Sequence, residues 1–501
     1  MNIYMVQMNV EPGNPEENFN TMSAAISRAK KAGADYVLFP AGALLGSYML
    51  GAKGFESGLQ GRWAACFRKF VKLNKDKKII VGDSLEKQFV VVSLEHTYNL
   101  GKAAVVKEKY SKVAREAKRP VFYVAPVGTC NSGKNIYAMD GGSCIFDKTG
   151  KIVFRMPQFK AAEALVKVDA KGGIKVYDPE GKPAKSFKPY TQKIAEVHDA
   201  LVLMIRENLK KFHIGRMVIG ASGGIDSAVS AALYAEAIGP ENVYLVNMPT
   251  RFNSSTTKNA AHDLAVNLGC PYTVAPIEGM LNAIRKDLAK CKFERSNAKI
   301  KVEGLHYENL QARTRSSSVL LSIASVLGAG ITCNGNKSEA TAGYCTLYGD
   351  SCGVMCALGD LWKTQVYELA NYINRNGEII PKASIDVPAS AELSDAMNVD
   401  EGKGDPIKYP YHDRLFAYWV DERHALEDTE KLLANGTLCK KIGADEKYFK
   451  KLFKTKDAAL EDMRAWHRRF RGIALAKRIQ FPPILSVSGS AFGGEYIESQ
   501  G

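Results

Sequence analysis

The residues best suited to chemistry lie in Met217-Val-Ile-Gly-Ala-Ser-Gly-Gly-Ile-Asp-Ser227. The segment reads as a buried strand running into a glycine-rich turn and then a helix. Glycines let the backbone approach an anion closely, and the free amides of a helix start point at it. Ser222 and Ser227 add hydroxyl donors, and Asp226 supplies a carboxylate suited to magnesium, which bridges phosphate oxygens. A plain strand-to-helix turn with an N-cap would also favour Ser and Asp. Small residues followed closely by Asp-Ser, at the carboxyl end of a first parallel strand, favour a phosphate site instead.

This segment resembles the pyrophosphatase loop, SGGxDS, of the ATP-pyrophosphatase superfamily. That group includes NAD, GMP, asparagine and argininosuccinate synthetases and tRNA-thiolating enzymes. The resemblance implies cleavage of ATP between its α and β phosphates by way of an adenylate. Further segments narrow the choice: Met248-Pro-Thr-Arg251-Phe252, Glu308-Asn309-Leu-Gln-Ala-Arg313-Thr-Arg315, Gly335-Asn336-Lys337-Ser338-Glu339, Tyr344-Cys-Thr-Leu-Tyr348-Gly-Asp350, Asp360, Lys363 and Lys477-Arg478-Ile-Gln480. Each alone could be a cap, a salt bridge or a solvated face. In this order they resemble the C-terminal domain of NAD synthetases, especially the two-domain, glutamine-dependent kind.

The resemblance implies roles residue by residue. Ser222, Gly223, Gly224 and Ser227 would hold the departing pyrophosphate, Asp226 and Glu339 would bind Mg2+, and Lys363 would sit against ATP phosphates. Asp226, Glu339 and Lys363 are thus the expected catalytic residues. Asn309, Glu339, Tyr344, Tyr348 and Lys477 would contact deamido-NAD, the dinucleotide whose carboxylate is adenylated and then amidated by ammonia. Where the family carries Thr before its GNKSE run this chain has Asn334, which can also hydrogen-bond to ATP.

These residues need a frame. Met217–Gly220, Val243–Asn247 and Tyr272–Pro276 read as strands alternating with helices at Ile225–Ala237 and Ser255–Leu268, which argues for a parallel sheet. Lys193–Lys211, Leu310–Leu327, Lys363–Asn374, Tyr411–Leu426 and Ala458–Lys477 read as further helices, and Ile331–Cys333 as a central strand. Ahead of them, Ile3–Val10, Tyr36–Phe39, Lys78–Val81, Phe89–Leu94, Val121–Pro126, Gly142–Phe146 and Lys151–Phe154 read as strands, with a helix at Asn18–Ala32. The expected fold class is α/β. A truncated, nitrilase-like layered domain (1–165) and a linker (166–194) precede a doubly wound, parallel-sheet ATP-pyrophosphatase domain of the adenine nucleotide alpha hydrolase kind (195–501).

The front domain departs from its pattern. Ala34-Asp-Tyr-Val-Leu-Phe-Pro40 resembles the nitrilase-like strand that ends in a catalytic Glu, yet Ala41 follows, and a methyl group cannot act as a base. Lys107 and Lys109 are candidates for the family's lysine. No cysteine takes the nucleophile's place, since Cys130 and Cys144 fall beyond it, and part of the domain's core is missing from the sequence. The expectation is a degenerate amidase domain and a synthetase using free ammonia or a separate ammonia donor. Glutamine hydrolysis is the alternative, followed by another ATP-pyrophosphatase amidotransferase or tRNA-modifying enzyme and, in another class, a non-catalytic scaffold.

Bulk properties exclude some classes. Gly128-Thr-Cys-Asn-Ser-Gly133-Lys134-Asn135 nearly fits a phosphate-binding Walker loop, but Asn135 lacks the required hydroxyl and no helix follows. The formal charge of +15 is spread along the chain without interleaved aromatic residues, which fits a solvated surface and polyanionic small molecules better than nucleic acid. No apolar stretch is long enough to cross a bilayer. The 10 cysteines lack paired spacing, and Cys345, Cys352 and Cys356 lack the CxxC pattern of a zinc site, which suits a reducing cytoplasm. A homodimer or larger homo-oligomer is expected by resemblance alone.

Overall fold

The computed structural model describes residues 1–46, 57–74, 78–93, 98–131 and 133–493. Leu94, the expected end of one strand, and Ser132, within the near-Walker segment, lie outside them. The chain divides into two units, Met1–Glu207 without Gly133–Asn135, and Asn208 onward with Gly133–Asn135.

The first unit holds strands β1 (Asn2–Gln7), β2 (Tyr36–Phe39), β3 (Lys78–Val81), β4 (Ser84–Leu85), β5 (Val90–Val92), β6 (Val121–Tyr123), β7 (Val127–Asn131), β8 (Asn135–Asp140), β9 (Cys144–Phe146), β10 (Ile152–Arg155), β11 (Ala162–Val168) and β12 (Ile174–Tyr177). Its helices are α1 (Pro15–Lys31), α2 (Ser57–Leu73) and α3 (Lys102–Ala117), with α4 (Lys193–Lys211) running across the division. Two five-stranded sheets form, in the orders β12-β11-β1-β2-β3 and β10-β9-β6-β5-β4. Period-two alternation explains their stacking. Along β1, Tyr4 and Val6 join Met22 and Ile26 of α1, whereas Ile3 and Met5 join Phe89, Phe122 and Ile145 of the other sheet. The far face of that sheet, through Val121 and Tyr123, packs on Val106 and Tyr110 of α3. The result is a four-layered α-β-β-α sandwich, the nitrilase-like arrangement expected.

Two readings change here. The stretch read as a linker contains β12, which pairs antiparallel with β11 from Leu165↔Tyr177 to Val168↔Ile174, so the sandwich runs past residue 165. In the near-Walker segment Gly128–Asn131 belongs to β7 and Asn135 opens β8, antiparallel strands whose register runs from Val127↔Asp140 to Asn131↔Ile136, so a strand and not a phosphate-binding helix follows, in line with the sequence reading. The charged segment 102–117, given no element above, is helix α3, with Ala114 and Ser111 beside Val106 and Tyr110 on its buried side. With that helix as the crossover, β5 pairs directly and in parallel with β6.

The second unit contains β13 (Met217–Gly220), β14 (Val243–Asn247), β15 (Tyr272–Val274) and β16 (Gly330–Ile331), a parallel sheet in the order β15-β14-β13-β16. The strand expected at 331–333 lies between β13 and residues 354–356: Val354 N–H donates to Ile331 O at 2.9 Å, Cys333 N–H donates to Met355 O at 3.1 Å, and Cys333 bridges Cys356 in parallel. Around the sheet are α5 (Ile225–Ile238), α6 (Ser255–Leu268), α7 (Glu278–Leu288), α8 (Leu305–Arg313) and α9 (Leu321–Leu327), then α10 (Lys337–Ala342), α11 (Lys363–Ile373), α12 (Lys382–Asp386) and α13 (Tyr409–Val420). The expected helix at 310–327 starts earlier, and a π-helical segment, Thr314–Leu320, joins α8 to α9. Val218 and Val246 pack on Leu281, Val319 and Ala324 from one face. Gly472 breaks the last long helix into Lys456–Arg471 and Ile473–Ile479. The order reverses at β13, which places a crevice at the carboxyl ends of β13 and β16.

Candidate active site

The loop from β13 to α5 fills that crevice. Gly224 is the N-cap of α5 and brings no side-chain cap, so the first amides of a fully packed helix remain available. Ser227 Oγ donates to Gly224 O at 3.0 Å, and Ser222 Oγ accepts Gly224 N–H at 3.2 Å, which holds the turn open. Gly223 has φ +85°, and a Cβ there would lie 1.9 Å from Thr257 O of α6. Only glycine satisfies both conditions. The expected role of Gly223 thus acquires a different cause: it lets the loop press against α6 instead of facing the cavity.

Asp226, in the first turn of α5, meets residues from two other helices. The Lys363 ammonium, at the start of α11, contacts Asp226 Oδ2 and lies 3.3 Å from Glu339 Oε1. Asn336 caps α10: its Oδ1 accepts Glu339 N–H, Glu339 Oε2 in turn accepts the Asn336 N–H, and Asn336 Nδ2 donates to Asp226 Oδ1 at 2.9 Å. Burial pushes the Glu339 carboxyl up, with Lys363 opposing and Asp226 adding to the rise. Burial also works against the Lys363 ammonium, but Asp226 and Glu339 outweigh it and its pKa rises. Asp405 stands nearby, accepting the Tyr409 hydroxyl at 2.8 Å, and burial raises its pKa against the pull of Lys363.

These groups face a cavity of about 1000 Å³. Ser222, Gly224, Asp226, Ser227, Asn309, Asn334, Glu339, Tyr344, Lys363 and Lys477, all expected site residues, line it. Gly223 and Tyr348 do not; Tyr348 sits at φ +61° with 62% of its surface exposed. Asn334 Oδ1 is buried without a hydrogen-bond partner. Asn309 Oδ1 accepts the Thr346 hydroxyl at 2.8 Å, and Lys477 donates to Gly343 O and Cys345 O at 2.8 and 2.5 Å. Both therefore brace the 343–346 loop. Arg315, in the π segment, donates to Met248 O and Asn253 Oδ1 at 3.1 and 3.3 Å, and burial lowers its pKa to about 10. No role was read for Asn336 or Asp405. Asn336 could have been found as a cap followed three residues later by Glu, whereas Asp405 lies in an irregular stretch with no local signal.

Among the described residues, no group of three or more His, Cys, Asp or Glu could hold a metal ion alone. Asp226 and Glu339, brought together by one ammonium, fit magnesium, which takes few carboxylates and completes its shell from phosphate and water.

In the first unit, the Ala41 N–H donates to Ser93 Oγ at 2.7 Å, and Ser93 N–H donates to Asp83 Oδ1 at 2.6 Å. Lys107 and Lys109 lie exposed on α3, so neither reaches an interior site. Lys102, from the same helix, is largely buried against Asp140 at 2.5 Å. Cys66, Cys130 and Cys144 are buried, and burial pushes the Cys144 thiol up to about 12.

Comparison with known proteins adds to this geometry. The NAD synthase family model matches residues 197–456. Glutamine-dependent NAD(+) synthetases of Synechocystis sp. and Rhodobacter capsulatus are 36% and 35% identical over 305 residues, covering 61% and 59% of this chain and 52% of each relative. The chain thus spans about half the length of the curated relatives it matches. Solved glutamine-dependent NAD+ synthetases of Acinetobacter baumannii (with ADP) and Cytophaga hutchinsonii share the fold at TM-scores of 0.67 and 0.75. They are 22% and 14% identical, and the alignments cover 99% and 100% of this chain and 98% of each solved chain. Because that family model spans more than half of the 501 residues, the chain belongs to the NAD synthase family.

Proposed function

We propose that the chain adenylates deamido-NAD with ATP and amidates the product to NAD+, releasing AMP and pyrophosphate. The observation that carries this is the convergence of Asp226, Glu339 and Lys363 beside the open start of α5. The nicotinate carboxylate attacks the α-phosphorus, the α–β bridging bond breaks, and pyrophosphate leaves toward the α5 amides, Ser222 and Ser227. Magnesium held by Asp226 and Glu339 would supply charge neutralisation at the phosphates. Lys363, released from its carboxylates, adds a second positive charge where negative charge builds, and such preorganised stabilisation usually contributes most to the rate. Asn334 offers its Oδ1 to the nucleotide, and Asn309 and Lys477 keep the Tyr344 loop in place for the dinucleotide. Ammonia then attacks the acyl carbon, AMP departs, and nitrogen loses a proton.

For the nitrogen source we propose free ammonia. Ala41 offers no base, Lys107 and Lys109 are exposed, and the Cys144 thiol is far from ionised at neutral pH. The relatives' names favour the second reading, glutamine hydrolysis by the N-terminal domain. Parallel assays with ammonium or glutamine distinguish them: NAD+ formed as efficiently from glutamine would sink the ammonia reading. A homo-oligomer is part of the proposal by family resemblance only, and light scattering tests it.

A further inference from the structure

Asn336 is fully buried and touches both acidic residues of the centre. Its Nδ2 donates to Asp226 Oδ1 at 2.9 Å, its Oδ1 accepts Glu339 N–H at 3.0 Å, and its own N–H donates to Glu339 Oε2 at 3.3 Å. The place requires a side chain that donates at one end and accepts at the other, which an amide does. Capping α10 needs only the acceptor, and Ser or Asp would cap equally well. The donor reaches another element, the first turn of α5, and so serves something other than the cap.

We infer that Asn336 is a positioning residue, fixing the Asp226 carboxylate against Glu339 so that the pair meets a divalent cation in one geometry. This rests on the reading of Asp226 and Glu339 as the magnesium pair. The other partner of Asp226 is Lys363, whose ammonium turns to phosphate in the proposed reaction. Asn336 stays, holds Oδ1 and leaves Oδ2 to the cation. It thereby ties α5 to α10 through an uncharged bond that does not compete for the metal.

The test uses the full chain with Mn2+ and a non-hydrolysable ATP analogue, followed by electron paramagnetic resonance, alongside thermal unfolding without ligand. Asn336→Ser keeps the cap and is too short to reach Asp226. Mn2+ affinity should fall by about 10–100-fold, as for other residues that orient metal ligands, while the unfolding midpoint stays close to wild type. Unchanged Mn2+ affinity in a folded Asn336→Ser protein overturns the inference and leaves a cap. If that variant does not fold, Asn336→Asp carries the test, keeping volume and cap but presenting an acceptor to Asp226. A tenfold loss of affinity there supports the inference, and equal or tighter binding overturns it. Wild-type protein that fails to bind Mn2+ removes the metal assignment itself, and the inference with it.

Discussion

Replacing Gly223 by alanine puts a methyl group where no room exists. The new Cβ would stand 1.9 Å from Thr257 O and 2.6 Å from its carbonyl carbon, both backbone atoms of α6. Non-bonded carbon atoms sit about 3.5–4 Å apart, so loop and helix must separate by roughly 1 Å or more. The left-handed φ of +85° adds strain for any L side chain, about 1–2 kcal/mol. Overpacking adds about 1–3 kcal/mol, giving a total destabilisation of about 2–5 kcal/mol. At roughly 2–4 °C per kcal/mol, the unfolding midpoint of this unit should drop by roughly 4–20 °C. A loop displaced by about 1 Å should also lose on the order of 10²-fold in AMP release. Gly224→Ala is the internal control, because its Cβ would meet only Ser222 Oγ at 3.3 Å and its φ is −82°. That variant should unfold within a few degrees of wild type. Calorimetry on the two proteins decides: equal midpoints would refute the close-approach argument for Gly223.

Other predictions concern different parts of the molecule. Lys363→Met leaves Asp226 and Glu339 facing each other without their cation; it should abolish AMP release and cost about 3–5 kcal/mol, with Mg2+ restoring part of the lost midpoint. Phe122→Ala, in the fully buried layer between the two sheets of the first unit, should cost about 3–5 kcal/mol by chemical denaturation. His467, against Trp419 and Phe470, has its pKa lowered from 6.5, chiefly by burial and then by Arg471. Its unfolded form therefore takes up a proton first as pH falls, so stability present in full above about pH 6.5 is lost as pH drops through the lower folded value. Midpoints measured from pH 8 to 5 should decline less for His467→Gln than for wild type.

The sequence was most legible where one period dominates. Met217–Gly220, Val243–Asn247, Ser255–Leu268 and Lys193–Lys211 have the bounds expected of them, because apolar runs and caps such as Ser254 mark their ends. Helix α3 was missed because its exposed face is dense in lysine and its buried face is narrow. Strand β12 was missed because Gly, Lys and Pro surround it, and an edge position lets Lys175 point to solvent. The turn between Met217–Gly220 and Ile225–Ile238 was readable from its motif, and Asp226, Glu339 and Lys363, singled out by motif and order, lie together in the structure. Asp405 was not readable, since its place beside Lys363 depends on how an irregular segment folds back. Tyr348 was read into the site and faces outward, because nothing in a loop sequence sets the direction of a side chain.

As proposed, the Asp226, Glu339 and Lys363 centre couples ATP cleavage to amidation of a dinucleotide carboxylate, and one reaction mixture tests this directly. Purified protein with ATP, Mg2+, deamido-NAD and ammonium should yield NAD+, AMP and pyrophosphate in equal amounts, and Asp226→Ala should yield none. ADP in place of AMP, or no nucleotide cleavage dependent on deamido-NAD, would contradict that coupling.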